Sequence, residues 1–181
     1  MTDISWVGPV ATQMAFGLLR TVELAALAII LSSLVGLILG LIATLPFVLS
    51  RILVRAYIEL WRGLPVLVSL FLIFFALPVV GLTLSTLLSA AIGLTLWGSA
   101  NIAEIVRGGI KTIPTGQHLA STALGMSWLT RMRYVILPQA WRRLLPPTIG
   151  IWSILVQGTS AAALIGYHDI LFVSRSNVER L

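Results

Sequence analysis

The stretch that decides the fold is LAALAIILSSLVGLILGLIATLPFVL, residues Leu24 to Leu49, which contains no charged side chain. A helix needs roughly 20 apolar residues to cross the hydrocarbon core of a bilayer. The stretch is long enough, so we predict that it spans a membrane. The residues before it, including Trp6, Pro9 and Phe16, are predicted to form a short segment at the membrane interface.

Three further apolar stretches predict additional spans. They run over about Leu64–Leu82, Leu84–Ile105 and Thr148–Ile165, and a longer, more polar segment, 107–147, separates the last two. We therefore predict an all-α polytopic membrane helix bundle of about four spans, formed by residues 1–181 as one domain.

The composition supports this fold class and excludes others. Of the 181 residues, 58% are hydrophobic and 10% charged, and the mean hydropathy is +1.02, more apolar surface than a soluble domain of this size can bury. The chain has no cysteine, which excludes disulfides and cysteine-ligated metals. The net charge of +6 does not indicate nucleic-acid binding, because the basic residues form short blocks between apolar stretches.

These basic blocks predict the orientation in the membrane. Segment 50–63 contains three arginines, segment 107–147 contains several Arg and Lys residues, and the connection near 78–83 has no charge. Short loops rich in Arg and Lys stay on the cytoplasmic side. We therefore expect segments 50–63 and 107–147 in the cytoplasm and the N-terminus outside.

Two stripes of small residues predict helix–helix contacts. One lies on the first span at four-residue spacing (Ser32, Gly36 and Gly40), and the other lies on the third (Ala91, Thr95, Ser99 and Ala103). Small residues allow the close backbone approach that stabilises helix pairs in lipid. We interpret both stripes as packing faces rather than sites.

The polar segment 107–147 contains the pattern of a compact surface elbow. Pro114 suits a first helical turn, so Thr115 to Leu124 is predicted to be a short helix, which Gly125 ends in a left-handed conformation. Ser127 is predicted to cap a second helix that extends through Tyr134. Pro138 is predicted to begin a third helix. We therefore expect the elbow to be a docking surface for a cytoplasmic partner.

The elbow also resembles the coupling loop of binding-protein-dependent ABC importer permeases. That loop reads Glu-Ala-Ala, then Gly, then Ile-Leu-Pro, and the matching residues in this chain are Ala120, Gly125, Ile136, Leu137 and Pro138. Three other stretches, 62–68, 103–110 and 145–147, resemble the polar amino-acid uptake subgroup. The similarity extends from about Gly17 to Leu171.

The resemblance implies a function and a set of partners. It implies the type I permease fold, a bacterial inner-membrane location, and a chain that is one of two permease subunits, identical or related. Segment 107–147 would be the coupling loop that docks on a separate ATP-binding subunit. An external solute-binding protein would deliver the substrate, expected to be a polar amino acid. The chain has no phosphate-binding GxxxxGK[ST] motif and no catalytic motif, so we expect no enzymatic activity and no cofactor of its own.

The sequence departs from the family pattern in ways that leave an alternative open. His118 and Leu119 stand where the motif has its Glu and first Ala, and a histidine cannot supply a negative charge. The usual last span is also missing before Leu181. The alternative is a truncated, non-transporting remnant. An ion-coupled carrier is a further alternative, although such carriers use charged groups within the spans, which are scarce here.

Four polar residues are candidates for a substrate pathway. Glu23 lies at the edge of the first span, and an ionisable group in a membrane helix is a functional candidate. Gln157, Thr159 and Ser160 lie within the fourth span, where polar groups line pathways or bond to neighbouring helices. By contrast, Glu104 and Arg107, three residues apart, are interpreted as a local ion pair.

Overall fold

A computed structural model of the chain describes residues 7–179, which fold into helices joined by short connections. We number seven helices in this range: α1 Val7–Ile42, α2 Val48–Gly63, α3 Val66–Val79, α4 Thr86–Lys111, α5 Thr115–Ala123, α6 Trp128–Ile165 and α7 Ile170–Val178. The predicted all-α membrane bundle is confirmed.

Three of these helices are long and apolar enough to cross a membrane: α1, α4 and α6. Helices α2 and α3 meet at a bend of 106° and together provide up to one more crossing. The prediction of about four spans therefore holds, but the expected second span, Leu64–Leu82, is a shorter helix that depends on α2. The basic segment 50–63 is not a loop, because it forms most of α2.

The first span begins much earlier than predicted. Pro9 and Phe16 belong to α1 itself, whereas Trp6 lies outside the described residues. The polar residues that suggested a boundary are accommodated within the helix. Arg20 and Glu23 form an ion pair at 2.9 Å, and the Thr21 hydroxyl donates to the Gly17 carbonyl oxygen at 3.1 Å. Because each polar group is satisfied by its own helix, the apolar run extends through them.

The stripe on α1 is a packing face, as predicted, and it lies against α4. A methyl group on Gly36 would lie 2.9 Å from the Ser99 carbonyl oxygen, and one on Gly40 would lie 2.8 Å from the Ala103 carbonyl oxygen. Ser32, one turn earlier, is completely buried. The two glycines of α1 therefore let the backbone of α4 and the side chains of Ile102 and Val106 approach closely.

A π-helical turn lets two helices continue through a proline. Pro78 in α3 and Pro138 in α6 each follow a π-helical turn, Leu72–Ala76 and Met132–Ile136 respectively. A proline ring clashes with the carbonyl four residues earlier, and in both helices that carbonyl belongs to the π turn. A π turn shifts the backbone hydrogen bonds by one residue, so it relieves the clash while the helix continues.

As a result, α6 is one helix where the sequence predicted separate pieces. The predicted break between Tyr134 and Pro138 is absent from the described chain, and the helix continues through Pro146 and Pro147. The fourth span, expected to start at Thr148, is thus the last part of a 38-residue helix. The prediction was wrong because it took proline as a helix boundary.

The segment after α6 folds back onto α1. The Tyr167 hydroxyl donates to the Arg20 carbonyl oxygen at 3.0 Å, and the Ile170 amide donates to the Thr21 hydroxyl at 3.1 Å. Asp169 caps α7 by accepting a hydrogen bond from the Phe172 amide at 2.8 Å. The part of the polar end that the structure describes is therefore ordered and attached to the bundle.

Candidate partner-docking site

The predicted elbow, residues 114–138, is present and tightly turned. Helix α5 ends at Gly125, whose φ of +73° lies in the left-handed region that favours glycine. The Gly125 amide donates to the Thr122 carbonyl oxygen at 2.9 Å, and the Met126 amide donates to that of Ser121 at 3.1 Å. These are the two hydrogen bonds of a Schellman motif. Ser127 then caps α6 by accepting a hydrogen bond from the Thr130 amide at 3.3 Å.

A buried cluster fixes the elbow to the membrane bundle. It joins the end of α4 to the first half of α6, and its buried members are Ile102, Val106, Ile110, Ile113, Met132, Ile136, Ala140 and Leu144. Burial of large apolar side chains of this kind stabilises a contact by about 1.5–3 kcal/mol each. The elbow is therefore packed against the bundle through a continuous buried core.

Polar contacts add to this attachment. The Arg143 guanidinium donates to the Thr112 carbonyl oxygen at 2.6 Å, and that of Arg131 donates to the Thr122 hydroxyl at 2.6 Å. The Gln139 amide donates to the Gln117 side-chain oxygen at 3.2 Å. Each contact joins α6 to the segment that precedes it, so the position of α5 follows the position of α6.

The outer face of the elbow exposes large apolar side chains. Leu119 is 67% exposed, Leu124 76% and Leu129 68%. Exposed apolar residues on a polar surface segment make it a candidate interaction surface. Leu124 and Leu129 were not among the predicted site residues, because sequence spacing alone does not show which face of a short helix points away from the core.

The structure separates the predicted coupling residues into two groups. Leu119, Ala120 and Gly125 lie on the exposed face, whereas Ile136 is completely buried and belongs to the cluster that holds the elbow. Leu137 packs partly buried against that cluster, and Pro138 is exposed. His118 is half-buried and lines a cavity between the elbow and α2. The motif residues thus build the shape of the elbow as well as its surface.

The predicted pathway residues are not gathered into one site. Glu23 pairs with Arg20 on its own helix, Gln157 is exposed, and Ser160 is half-buried. Thr159 is completely buried and donates to the Val156 carbonyl oxygen at 2.7 Å. Within residues 7–179, no side-chain hydrogen bond or ion pair links any two of the four.

The expected pair of Glu104 and Arg107 is confirmed, with a third member. The Arg107 Nε atom donates to Glu104 at 2.7 Å, and Arg62 at the end of α2 lies 3.9 Å from the same carboxylate. The sequence showed the local pair, but the contribution of Arg62 depends on how α2 crosses α4. This cluster connects the bend between α2 and α3 to the C-terminal part of α4.

The chain thus combines helices long and apolar enough to cross a membrane with an elbow that is held by a buried cluster and exposes three leucines. The chain belongs to the family of binding-protein-dependent transport system inner membrane components, whose model matches residues 32–174. It is therefore an inner-membrane permease subunit of an ABC transporter, and ATP is handled by a separate subunit. Membership of this family implies an ATPase and a solute-binding protein as partners.

Curated relatives and a solved structure place the chain in the amino-acid group of that family. It is 38% identical over 157 residues to the probable glutamine ABC transporter permease of Bacillus subtilis (strain 168), covering 86% of this chain and 71% of that one. It is 32% identical over 170 residues to the glutamine transport system permease of Escherichia coli (strain K12), covering 93% and 78%. The crystal structure of an amino acid ABC transporter with histidines matches with a TM-score of 0.84 and 29% identity, covering 99% and 83%.

Proposed function

We propose that this permease imports a polar amino acid delivered by an external binding protein, as one of two permease subunits, identical or related. The observation that carries the coupling part of the proposal is the apolar surface of the elbow on its buried mount. The substrate class is supported by relatives that are named for glutamine and by a matched transporter structure described with histidines. The ATPase subunit docks on the elbow and supplies the motion.

The elbow is suited to apolar rather than ionic docking. His118 replaces the acidic residue of the coupling motif, so its side chain offers no negative charge. Most of the side-chain surface is exposed on three leucines of the elbow instead: Leu119, Leu124 and Leu129. Burying such side chains contributes roughly 1–2 kcal/mol each at their exposed fractions. Docking is therefore expected to depend on shape and on the leucines, with a weak dependence on salt.

The positions of the basic residues support the proposed orientation. Arg51 and Arg55 of α2, Lys111 at the end of α4, and Arg131 of the elbow line one cavity, so they share one end of the bundle. Gly81, in the connection between α3 and α4, belongs to the opposite end, and no charged residue lies near it in sequence. An excess of Arg and Lys marks the cytoplasmic side, so the elbow faces the cytoplasm and the N-terminus lies outside.

The candidate pathway residues fit a site that a second subunit completes. Glu23, Gln157 and Ser160 are at least partly accessible on the surface of this chain. A pathway between two permease subunits would be lined by such residues from both chains. Thr159 is buried against its own bundle, so we assign it a supporting role behind that surface. Uptake into proteoliposomes should fall in Glu23→Gln and Gln157→Ala while the complex still assembles.

The docking proposal is tested by co-purification with the ATPase subunit. Gly125→Leu strains the left-handed residue that turns the elbow, so we expect the ATPase to be lost from the purified complex. Gly81→Leu is a matched control, since Gly81 has a φ of +85° and equally open surroundings at the other end of the bundle. Both variants carry similar backbone strain, so only a docking role predicts different ATPase capture.

Two results would overturn parts of this assignment. If both variants keep the ATPase, or if the complex forms equally well without residues 114–138, the elbow is not the coupling element. If the complete complex forms but shows no uptake of any polar amino acid, the chain is instead the non-transporting remnant that the altered coupling motif suggests.

A further inference from the structure

A cavity of about 370 Å³ lies between the cytoplasmic end of α1, helix α2, the end of α4 and the elbow. Its lining includes five basic side chains: Arg51, Arg55, Arg107, Lys111 and Arg131. The half-buried His118 also lines it. The volume lies in the range of small-ligand sites. It has no part in the docking surface described above, which lies on the exposed face of the elbow.

The charges in this cavity are incompletely balanced within the described chain. Arg107 pairs with Glu104 and Arg55 pairs with Glu59 at 3.5 Å, but neither carboxylate lines the cavity. Among residues 7–179, the other three cations of the lining form no ion pair with a carboxylate. Cations held close together repel one another, and a bound anion relieves that repulsion. The cavity is therefore electrostatically suited to a phosphate-bearing ligand.

The surface beside the cavity indicates which phosphate-bearing ligand it takes. On α2, Arg51 and Arg55 are one helical turn apart and point toward the cavity, while Val48 and Ile52, also one turn apart, are exposed by 62% and 58%. An inorganic phosphate or a nucleotide would leave these apolar side chains uncovered. A phospholipid matches both features, because its acyl chains cover apolar surface next to the headgroup.

We propose that this cavity binds the headgroup of an anionic phospholipid from the membrane leaflet that faces the elbow. The lipid phosphate sits among Arg51, Arg55, Lys111 and Arg131, with its acyl chains along the apolar side of α2. Because α2 and the elbow both line the cavity, the bound headgroup bridges them and stabilises their relative position. This proposal depends on the proposed orientation in one respect: that orientation identifies the leaflet as the cytoplasmic one.

The test compares lipid binding by the full chain and two charge-matched variants. Purified protein is placed in phosphatidylcholine nanodiscs with increasing phosphatidylglycerol, and the denaturation temperature is followed. One variant is Arg51→Gln with Arg55→Gln. The control is Arg133→Gln with Arg142→Gln, which removes the same charge from exposed side chains outside the cavity.

We expect phosphatidylglycerol to raise the denaturation temperature of the wild type and the control. Each Arg or Lys that reaches the bound lipid phosphate strengthens the binding about fivefold, which is the magnitude for one basic residue at an anionic membrane surface. The Arg51→Gln/Arg55→Gln variant should therefore need roughly 25 times more phosphatidylglycerol for the same response. Equal denaturation temperatures in pure phosphatidylcholine, together with an unchanged helical circular dichroism spectrum, show that this variant still folds.

Three outcomes would overturn the lipid assignment. The first is an equal response of both variants to phosphatidylglycerol. The second is equal stabilisation by inorganic phosphate in detergent without lipid, which would indicate a soluble anion. The third is an unchanged lipid response in the Arg51→Gln/Arg55→Gln variant with loss of ATPase capture, which would make the cavity a subunit contact. The docking proposal is tested by a different experiment, the comparison of Gly125→Leu with Gly81→Leu, so the two proposals can fail independently.

Discussion

The substitution Gly40→Ala tests whether the α1–α4 contact depends on the absence of a side chain. A methyl group at this position would lie 2.5 Å from the Val106 Cβ atom and 2.8 Å from the Ala103 carbonyl oxygen. Carbon atoms at van der Waals contact are about 3.5–4.0 Å apart. The carbonyl oxygen belongs to the backbone of α4, so it cannot rotate away, and α1 and α4 must separate.

The magnitude follows from two opposing effects. Overpacking costs about 1–3 kcal/mol, and a backbone obstacle places this substitution at the upper end, near 3 kcal/mol. Replacing Gly by Ala within a helix stabilises it by up to about 1 kcal/mol. We therefore expect Gly40→Ala to lower the free energy of unfolding by about 2 kcal/mol, measured by reversible SDS denaturation in mixed micelles and followed by circular dichroism.

Gly150→Ala is the matched control. Gly150 lies within α6, and a methyl group there would meet no atom within 4 Å. This variant keeps the gain in helix propensity without the collision, so it should be neutral or stabilised by up to about 1 kcal/mol. If Gly40→Ala proves as stable as Gly150→Ala, the close contact of α1 and α4 does not contribute to stability as described.

Three smaller perturbations test individual contacts. Tyr57→Phe removes a hydrogen bond of 2.7 Å to the Ser99 hydroxyl between α2 and α4, and should cost about 0.6–1 kcal/mol in the same SDS assay. Trp152→Phe removes a hydrogen bond of 3.0 Å to the Ser33 hydroxyl between α6 and α1, and we expect a similar loss of stability. If either variant is as stable as the wild type, the hydrogen bond that it removes does not stabilise the fold. Burial raises the pKa of Asp169, so the native state holds its proton more tightly and stability should fall as pH rises above the ordinary value of about 4. Asp169→Asn should weaken this fall in a pH series of thermal denaturation, and an identical pH slope would contradict the assignment.

Much of the fold could be predicted because lipid imposes simple requirements on a sequence. Long uncharged runs identified the spans formed by α1, α4 and α6, and the spacing of Gly36 and Gly40 identified a packing face, since both depend on local pattern alone. The errors arose where local rules compete with packing. Proline usually ends a helix, but the π turn before Pro138 lets α6 continue, and no feature of the local sequence specifies that turn.

The elbow was predictable in shape but not in surface. Gly125 and Ser127 are short-range signals for a turn and a cap, and both perform these roles in the structure. The exposure of Leu124 and the meeting of Arg51 with Arg131 in one cavity depend on the arrangement of helices distant in sequence. Such contacts are set by tertiary packing, so one sequence without its structure could not reveal them.

The continuity of α6 has a mechanical consequence. A helix of 38 residues is about 57 Å long and runs without a break from the elbow to Ile165. Since the helix is continuous within the described chain, a displacement at the elbow is transmitted along it. In the proposed arrangement, movement of the ATPase at the elbow would therefore reach the other end of the bundle through one continuous helix.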